Sequence, residues 1–233
     1  RKYTYALKTT ADFKGRILEN QFSGLLLNFD NKEVYSNLIG AFNAYNLLAI
    51  YATSCLLGME KLEVLRLLSN LKNVDGRFQY LISREGVIAI VDYAHTPDAL
   101  KNVLETINAI RSHNEQVITV VGCGGDRDKT KRPKMADIAT QLSNKVIFTS
   151  DNPRSEDPEA ILRDMEAGVS PANFKKYLTI TDRFQAIKTA GKKKKKNDII
   201  LIAGKGHENY QIIGKTRLDF DDYKIVDQIL NQQ

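Results

Sequence analysis

From Phe78 to Gly204 the chain alternates apolar runs of strand length with stretches of helical period, and this alternation restricts the fold more than any other feature. VIAIVDY at 87–93 is an apolar run of buried-strand length. Pro97 follows it at a helix start, and residues 98–111 carry Leu100, Val103, Leu104, Ile107 and Ile110 at helical spacing. Strand QVITVVG, a helix over 133–143, strand KVIFTS, a helix over 158–168, a short strand near 177–181, a helix over 182–191 and strand DIILIAG come next. Buried strands separated by helices predict an α/β fold, a mainly parallel sheet with helices on both faces. A hairpin, YQII then TRLDF, and a last helix from Asp221 to Leu230 close the chain.

Upstream, the pattern differs. Residues 3–38 read as short extended pieces, YTYAL, RIL, GLLLNF and EVYSNL, broken by turn-prone Lys-Gly, Ser-Gly and Asp-Asn. A helix is expected from about residue 40, its apolar side carrying Phe42, Tyr45, Leu48, Ala49, Ala52 and Leu56, with a second over about 61–71. NVDGRF interrupts both periods, so two domains are expected, over 1–76 and 77–233. The first residue is Arg1, already in strand-like sequence, which points to missing upstream sequence.

Composition excludes several classes. The longest apolar runs fall far short of the roughly 20 residues that a spanning helix needs, so no membrane association is expected. Two cysteines, Cys55 and Cys123, form no CxxC pair, which argues against a disulfide scaffold or zinc ribbon and for a reducing cytoplasm. His95, His113 and His207 show no metal-ligand spacing, so no metal site is expected on the chain. The net charge of +6 would raise nucleic acid as a partner, but Lys192–Lys196 is a run of five lysines and the rest is nearly neutral. That run holds no aromatic residue for base stacking and no arginine for base edges, so it reads as a solvated helix end or loop.

In an open parallel sheet, ligands bind beyond the carboxyl ends of the strands. Four successive strand ends here, VDYAHTPDAL, VVGCGGDRDKTKRP, TSDNPRSEDP and IAGKGHENYQ, are rich in glycine and polar residues. Gly122, Gly124 and Gly125 allow close backbone approach to a ligand, but Arg127 stands where a GxGxxG fingerprint needs its third glycine. In the next loop Asp151 or Asn152 can cap the chain and Pro153 fixes a turn, while Arg154 offers a planar fork suited to a carboxylate. Glu208, facing Arg127 and Arg154, would suit a zwitterion such as an amino acid; alternatively it pairs internally with Lys205. Asp92 and His95 can bind ribose hydroxyls or phosphate, or His95 can be a packing residue. Gly214-Lys215-Thr216 imitates the end of a P-loop, but Asn209 occupies the required upstream glycine position and the setting is a hairpin.

Together and in this order, VDYAHTPDAL, GCGGDRDKTKRP, DNPR and AGKGHENYQ resemble the C-terminal domain of the Mur ligases, in the branch that adds diaminopimelate. Residues 1–76 resemble the end of the family's central ATPase domain, including FNAYN and the GRF boundary. The resemblance implies a Rossmann-like domain and an ATP- and Mg2+-dependent ligase that joins meso-2,6-diaminopimelate to a UDP-N-acetylmuramoyl-dipeptide through an acyl phosphate, in the cytoplasm and as a monomer. It assigns Arg154 to the distal carboxylate that lysine lacks, within a diaminopimelate set of Arg127, Asp151, Asn152, Pro153, Arg154, Gly204 and Glu208. On the nucleotide side it implies Asn43 and Asn46 near adenine, Arg77 on phosphate, and Asp92 with His95 in the ribose and phosphate region. The family's P-loop, magnesium-positioning residues and UDP-binding domain have no counterpart here, so the fragment is expected to be inactive alone, with a closing hinge near Asp75–Arg77. The alternatives are a stand-alone nucleotide-binding module and a basic nucleic-acid binder.

Overall fold

A computed structural model describes residues 1–231, which divide into two compact units. One comprises Arg1–Asn73 with Ala109–Arg111, the other Val74–Asn108 with Ser112 onward.

The first unit holds a four-stranded sheet in the order β1 (Tyr5–Ala6), β2 (Phe13–Gln21), β3 (Gly24–Phe29) and β4 (Lys32–Ser36). Helix α1 (Ala41–Leu56) and helix α2 (Lys61–Ser69) pack on it. Strand β3 alternates within a buried stretch, and its Leu25, Leu27 and Phe29 meet Leu47, Leu48 and Tyr51 of α1 and Val64, Leu65 and Leu68 of α2 in one core. Helix α2 starts where the Glu60 side chain accepts from the Leu62 and Glu63 amides at 2.7 and 3.2 Å. The expected apolar side of α1 is rotated by about one position. Ala44, Leu47, Leu48, Tyr51 and Ala52 are buried, while Phe42, Tyr45 and Leu56 are exposed. LLAIYA is apolar around the whole helix, so spacing alone selects no single face.

The second unit is built on a six-stranded sheet. Its strands are β5 (Gln79–Ile82), β6 (Ile88–Asp92), β7 (Val117–Val121), β8 (Lys145–Phe148), β9 (Tyr177–Thr179) and β10 (Ile199–Ala203), in the order β5-β6-β10-β7-β8-β9. All pairs are parallel except the edge pair β5 with β6. The residues of β7 and β10 are buried throughout, as strands flanked by strands and covered on both faces must be. The chain moves one way from β6 to β9 through α3 (Pro97–Ile110), α4 (Lys131–Leu142) and α5 (Pro158–Glu166), then returns through α6 (Arg183–Lys193) to insert β10 between β6 and β7. Right-handed crossovers therefore place α3, α4 and α5 on one face and α6 on the other. Ala186, Ile187 and Ala190 of α6, with Val226 and Leu230 of α7 (Asp222–Asn231), indeed pack on Ile200 and Ile202 of β10 and Ile118 and Val120 of β7.

Local signals mark the element ends. Asp157 caps α5 ahead of Pro158, and Asp182 caps α6 by accepting from the Gln185 amide at 2.8 Å. Helix α6 runs two residues into the lysine run, where cations suit a helix C-terminus. Four of the five lysines are exposed, and Lys194 pairs with Glu85 at 2.5 Å. The hairpin forms as β11 (Tyr210–Ile213) and β12 (Thr216–Asp219), with Gly214 at φ 60 in the first turn position.

Candidate active site at the strand ends

The carboxyl ends of β6, β10, β7 and β8 lie side by side, and the four loops leaving them enclose a cleft of about 550 Å³. Tyr93, His95 and Thr96 line it from the first loop and Gly204, Glu208 and Tyr210 from the next. Arg127, Asp128 and Lys131 come from the third, and Asp151, Asn152 and Arg154 from the fourth. Of the sequence-derived diaminopimelate set, all but Pro153 face this cleft.

Backbone contact between loops fixes the geometry. A Cβ on Gly122 would stand 2.3 Å from the Thr149 carbonyl oxygen, and one on Gly125 would stand 1.9 Å from that of Pro153. At these two glycines the space a side chain would need is taken by the neighbouring loop, while Gly122 and Gly124 also line the cleft. Arg154 adopts φ 53, a left-handed conformation uncommon outside glycine. Its main chain is held by the hairpin, with its N–H donating to the Ile212 carbonyl at 3.1 Å and its carbonyl accepting from Gly214 at 2.7 Å. One guanidinium nitrogen donates to the Gly125 carbonyl at 2.7 Å. Arg127 is exposed, and its guanidinium donates to the Asp126 carbonyl at 3.3 Å.

The acidic side of the cleft is held from beneath. Asn152 caps no helix; it donates to Glu208 Oε2 at 2.8 Å and accepts from the Ile212 amide at 2.9 Å and Lys205 Nζ at 3.3 Å. Glu208 also meets Lys205 at 3.5 Å, the internal pairing weighed above, and the Tyr93 hydroxyl donates to it at 3.5 Å. Lys205 is fully buried, and burial pushes its amine below the usual lysine range. Asp151 is buried too, and burial pushes its carboxyl up against the pull of Arg183 and Lys205. The Asp151 Oδ2 lies 2.6 Å from where a Gly204 Cβ would be, so the glycine lets this carboxylate sit against the strand end. Buried nearby, Arg183 donates to both oxygens of Asp222 at 2.7 and 2.8 Å and to the Ala203 carbonyl at 3.2 Å, which ties α6 and α7 to the end of β10.

The nucleotide-side residues fall in both units. Asn43 and Asn46 lie on α1 of the first unit, where the Asn43 amide donates to the Ile39 carbonyl at 2.8 Å and Asn46 is exposed. In the second unit the Arg77 guanidinium sits 5.2 Å from the Tyr93 ring centre, and the ring of His95 packs on Tyr93 at 4.5 Å. Asp92 is buried, and its carboxylate accepts from the Phe78 amide at 2.7 Å, so it anchors the start of the domain. Burial raises its pKa against that hydrogen bond. Among the described residues no group of three or more His, Cys, Asp or Glu side chains is placed to hold a metal ion.

Sequence reasoning missed Tyr93, Lys131 and Tyr210. Lys131 Nζ donates to the His95 carbonyl at 2.8 Å, tying two loops, and Tyr210 carries the Arg217 guanidinium 3.9 Å above its ring. The interleaved aromatic and polar residues in YAHTP and HENYQ were the available signal. The hairpin, set aside as a false P-loop, supports the cleft through its bonds to residues 151–154.

Residues 76–206 match the family described as Mur ligase, glutamate ligase domain. The UDP-N-acetylmuramoyl-L-alanyl-D-glutamate--2,6-diaminopimelate ligase of Cytophaga hutchinsonii is 53% identical over 98% of this chain and 47% of its own length. The enzyme of the same name from Bacteroides thetaiotaomicron is 52% identical over 98% of this chain and 48% of its own. A solved structure of a ligase with that name superposes with a TM-score of 0.71 at 40% identity, covering 98% of this chain and 47% of that one. The chain thus spans about half the length of the relatives it matches. With the family matched across the strands and loops that form the cleft, the chain belongs to the Mur ligases.

Proposed function

We propose that the chain is the amino-acid-binding part of an ATP-dependent ligase that adds meso-2,6-diaminopimelate to UDP-N-acetylmuramoyl-L-alanyl-D-glutamate in cytoplasmic peptidoglycan precursor synthesis. The observation that carries this reading is the charge arrangement of the cleft: Arg127 and Arg154 on one pair of loops, Asp151 and Glu208 alongside. Diaminopimelate has two carboxylates and, besides the amine that reacts, one ammonium group, which suit two guanidinium groups and an acidic pair. Residues 1–76 are read as the end of a central ATPase domain and 77–233 as the amino-acid-binding domain.

In this reading ATP phosphorylates the γ-carboxylate of the precursor's D-glutamate. The incoming amine, having given its ammonium proton to solvent, attacks the acyl carbon; a C–N bond forms, phosphate departs with the C–O bonding pair, and nitrogen loses its second proton to solvent. The role of this chain is orientation: the guanidinium groups hold carboxylates while Asp151 and Glu208 receive an ammonium, which presents the other amine for attack. Asn43, Asn46, Arg77, Asp92 and His95 are read as the chain's share of the ATP site; magnesium ligands and the UDP site would come from sequence beyond this chain.

Calorimetric titration with meso-diaminopimelate and with L-lysine tests the reading. Diaminopimelate should bind more tightly, and Arg154→Ala should remove the preference, since a site built around an arginine that lysine leaves unpaired discriminates by several kcal/mol, on the order of 10²-fold or more. Equal affinity for both ligands would overturn it. Tight ATP binding with no diaminopimelate binding would favour a nucleotide-binding module instead.

A further inference from the structure

Glu156 lies outside the cleft lining, yet more contacts converge on it than on any arginine within the cleft. Its Oε1 accepts from the Asp126 amide at 2.6 Å and from Arg132 at 2.8 Å, and its Oε2 accepts from Arg132 at 3.0 Å and meets Lys129 at 3.3 Å. Arg132, in the first turn of α4, is fully buried. It spends four of its N–H bonds on Glu156, Asp164 of α5 and the Gly124 carbonyl, the last at 3.4 Å. The link is returned from the other side: the Asp126 carboxylate accepts from the Ser155 amide at 3.2 Å and hydroxyl at 2.6 Å. The Gly125 amide adds a backbone bond to the Asn152 carbonyl at 2.9 Å.

The placement of this clasp is specific. Asp126 precedes Arg127 and Ser155 follows Arg154, so each cleft arginine has a clasp residue as its chain neighbour. Asp126 and Arg154 both stand at φ 53, a conformation that persists in non-glycine residues only where surroundings over-determine it. Holding two carboxylates of one ligand on two guanidinium groups needs both at fixed separation, and a misplacement of about 1 Å is costly.

We propose that Glu156, with Arg132 and Asp126, is a positioning residue that sets the spacing of Arg127 and Arg154 and thereby the selectivity for a ligand bearing a distal carboxylate. This rests on the amino-acid-binding reading above. Its test is titration of the whole chain and of Glu156→Gln with meso-diaminopimelate and L-lysine, alongside amide exchange of β7, β8 and β10 to report the fold. Glu156→Gln should weaken diaminopimelate by about tenfold while changing lysine less than about twofold, since only the second carboxylate depends on the spacing. Asp126→Asn, which alters only the exposed edge of the clasp, should move the ratio the same way by about threefold and serves if Glu156→Gln fails to fold. Retained selectivity in a folded Glu156→Gln, or equal losses for both ligands, would overturn the assignment alone. No diaminopimelate binding by the unaltered chain would overturn the amino-acid reading and this assignment with it.

Discussion

Gly125 and Arg183 show how single positions hold the cleft in shape. A methyl group on Gly125 has no place to go, because the obstacle is the Pro153 carbonyl rather than a movable side chain. Gly125→Ala should therefore cost about 1–3 kcal/mol in urea unfolding, the range for overpacking, and weaken diaminopimelate binding as the loops separate. Arg183 and Asp222 are both fully buried, so losing one leaves an uncompensated charge. Arg183→Ala should cost about 3–5 kcal/mol, whereas the apolar pair Arg183→Met with Asp222→Leu should recover most of it, as replacement of buried ion pairs often does. Equal losses in the single and double variants would show that the bonds to Ala203, rather than the charge pair, carry the effect.

At the scale of elements, the hydrogen bonds from Arg132 and the Asp126 amide hold the Glu156 carboxyl down at about 2. A carboxylate depressed in the folded state contributes stability that is complete above its unfolded value near 4.5 and disappears as pH falls towards 2. Unfolding midpoints measured from pH 5 to pH 2 should fall, and Glu156→Gln should flatten that part of the slope. Lys129 and Arg132 face this group as cations and Asp126 as a neighbouring carboxylate, while Asp164 shares Arg132 with it. Much of the architecture was legible in the sequence, because VIAIV, VITVV, KVIF and IILIA are apolar runs bounded by glycine, proline and capping residues. The strand-end loops were legible for the same reason. What was not legible depends on contacts between distant positions. Asn152 meets Ile212 across sixty residues, and Asp126 meets Glu156 across thirty, and no local period encodes either. The face of α1 was mis-phased because its hydrophobic residues encircle the helix, leaving tertiary packing to choose among them.

For the whole molecule, the proposed function implies a division of labour: this chain binds and orients, while phosphoryl transfer needs residues outside it. A ligation assay with the chain alone, ATP, magnesium, diaminopimelate and the UDP-linked dipeptide should give no product; turnover would sink that division. The strand order carries a further consequence for how the protein is made. Strand β10 occupies the middle of the sheet between β6 and β7, yet it follows both in the chain by roughly eighty residues or more. During synthesis β6 and β7 therefore wait with facing edges unpaired until Ile199–Ala203 leaves the ribosome, and unpaired edges are sites of aggregation. Nascent chains ending before Ile199 should be sticky and protease-sensitive, and chains that also carry α7, with Asp222 and Leu230, should be compact.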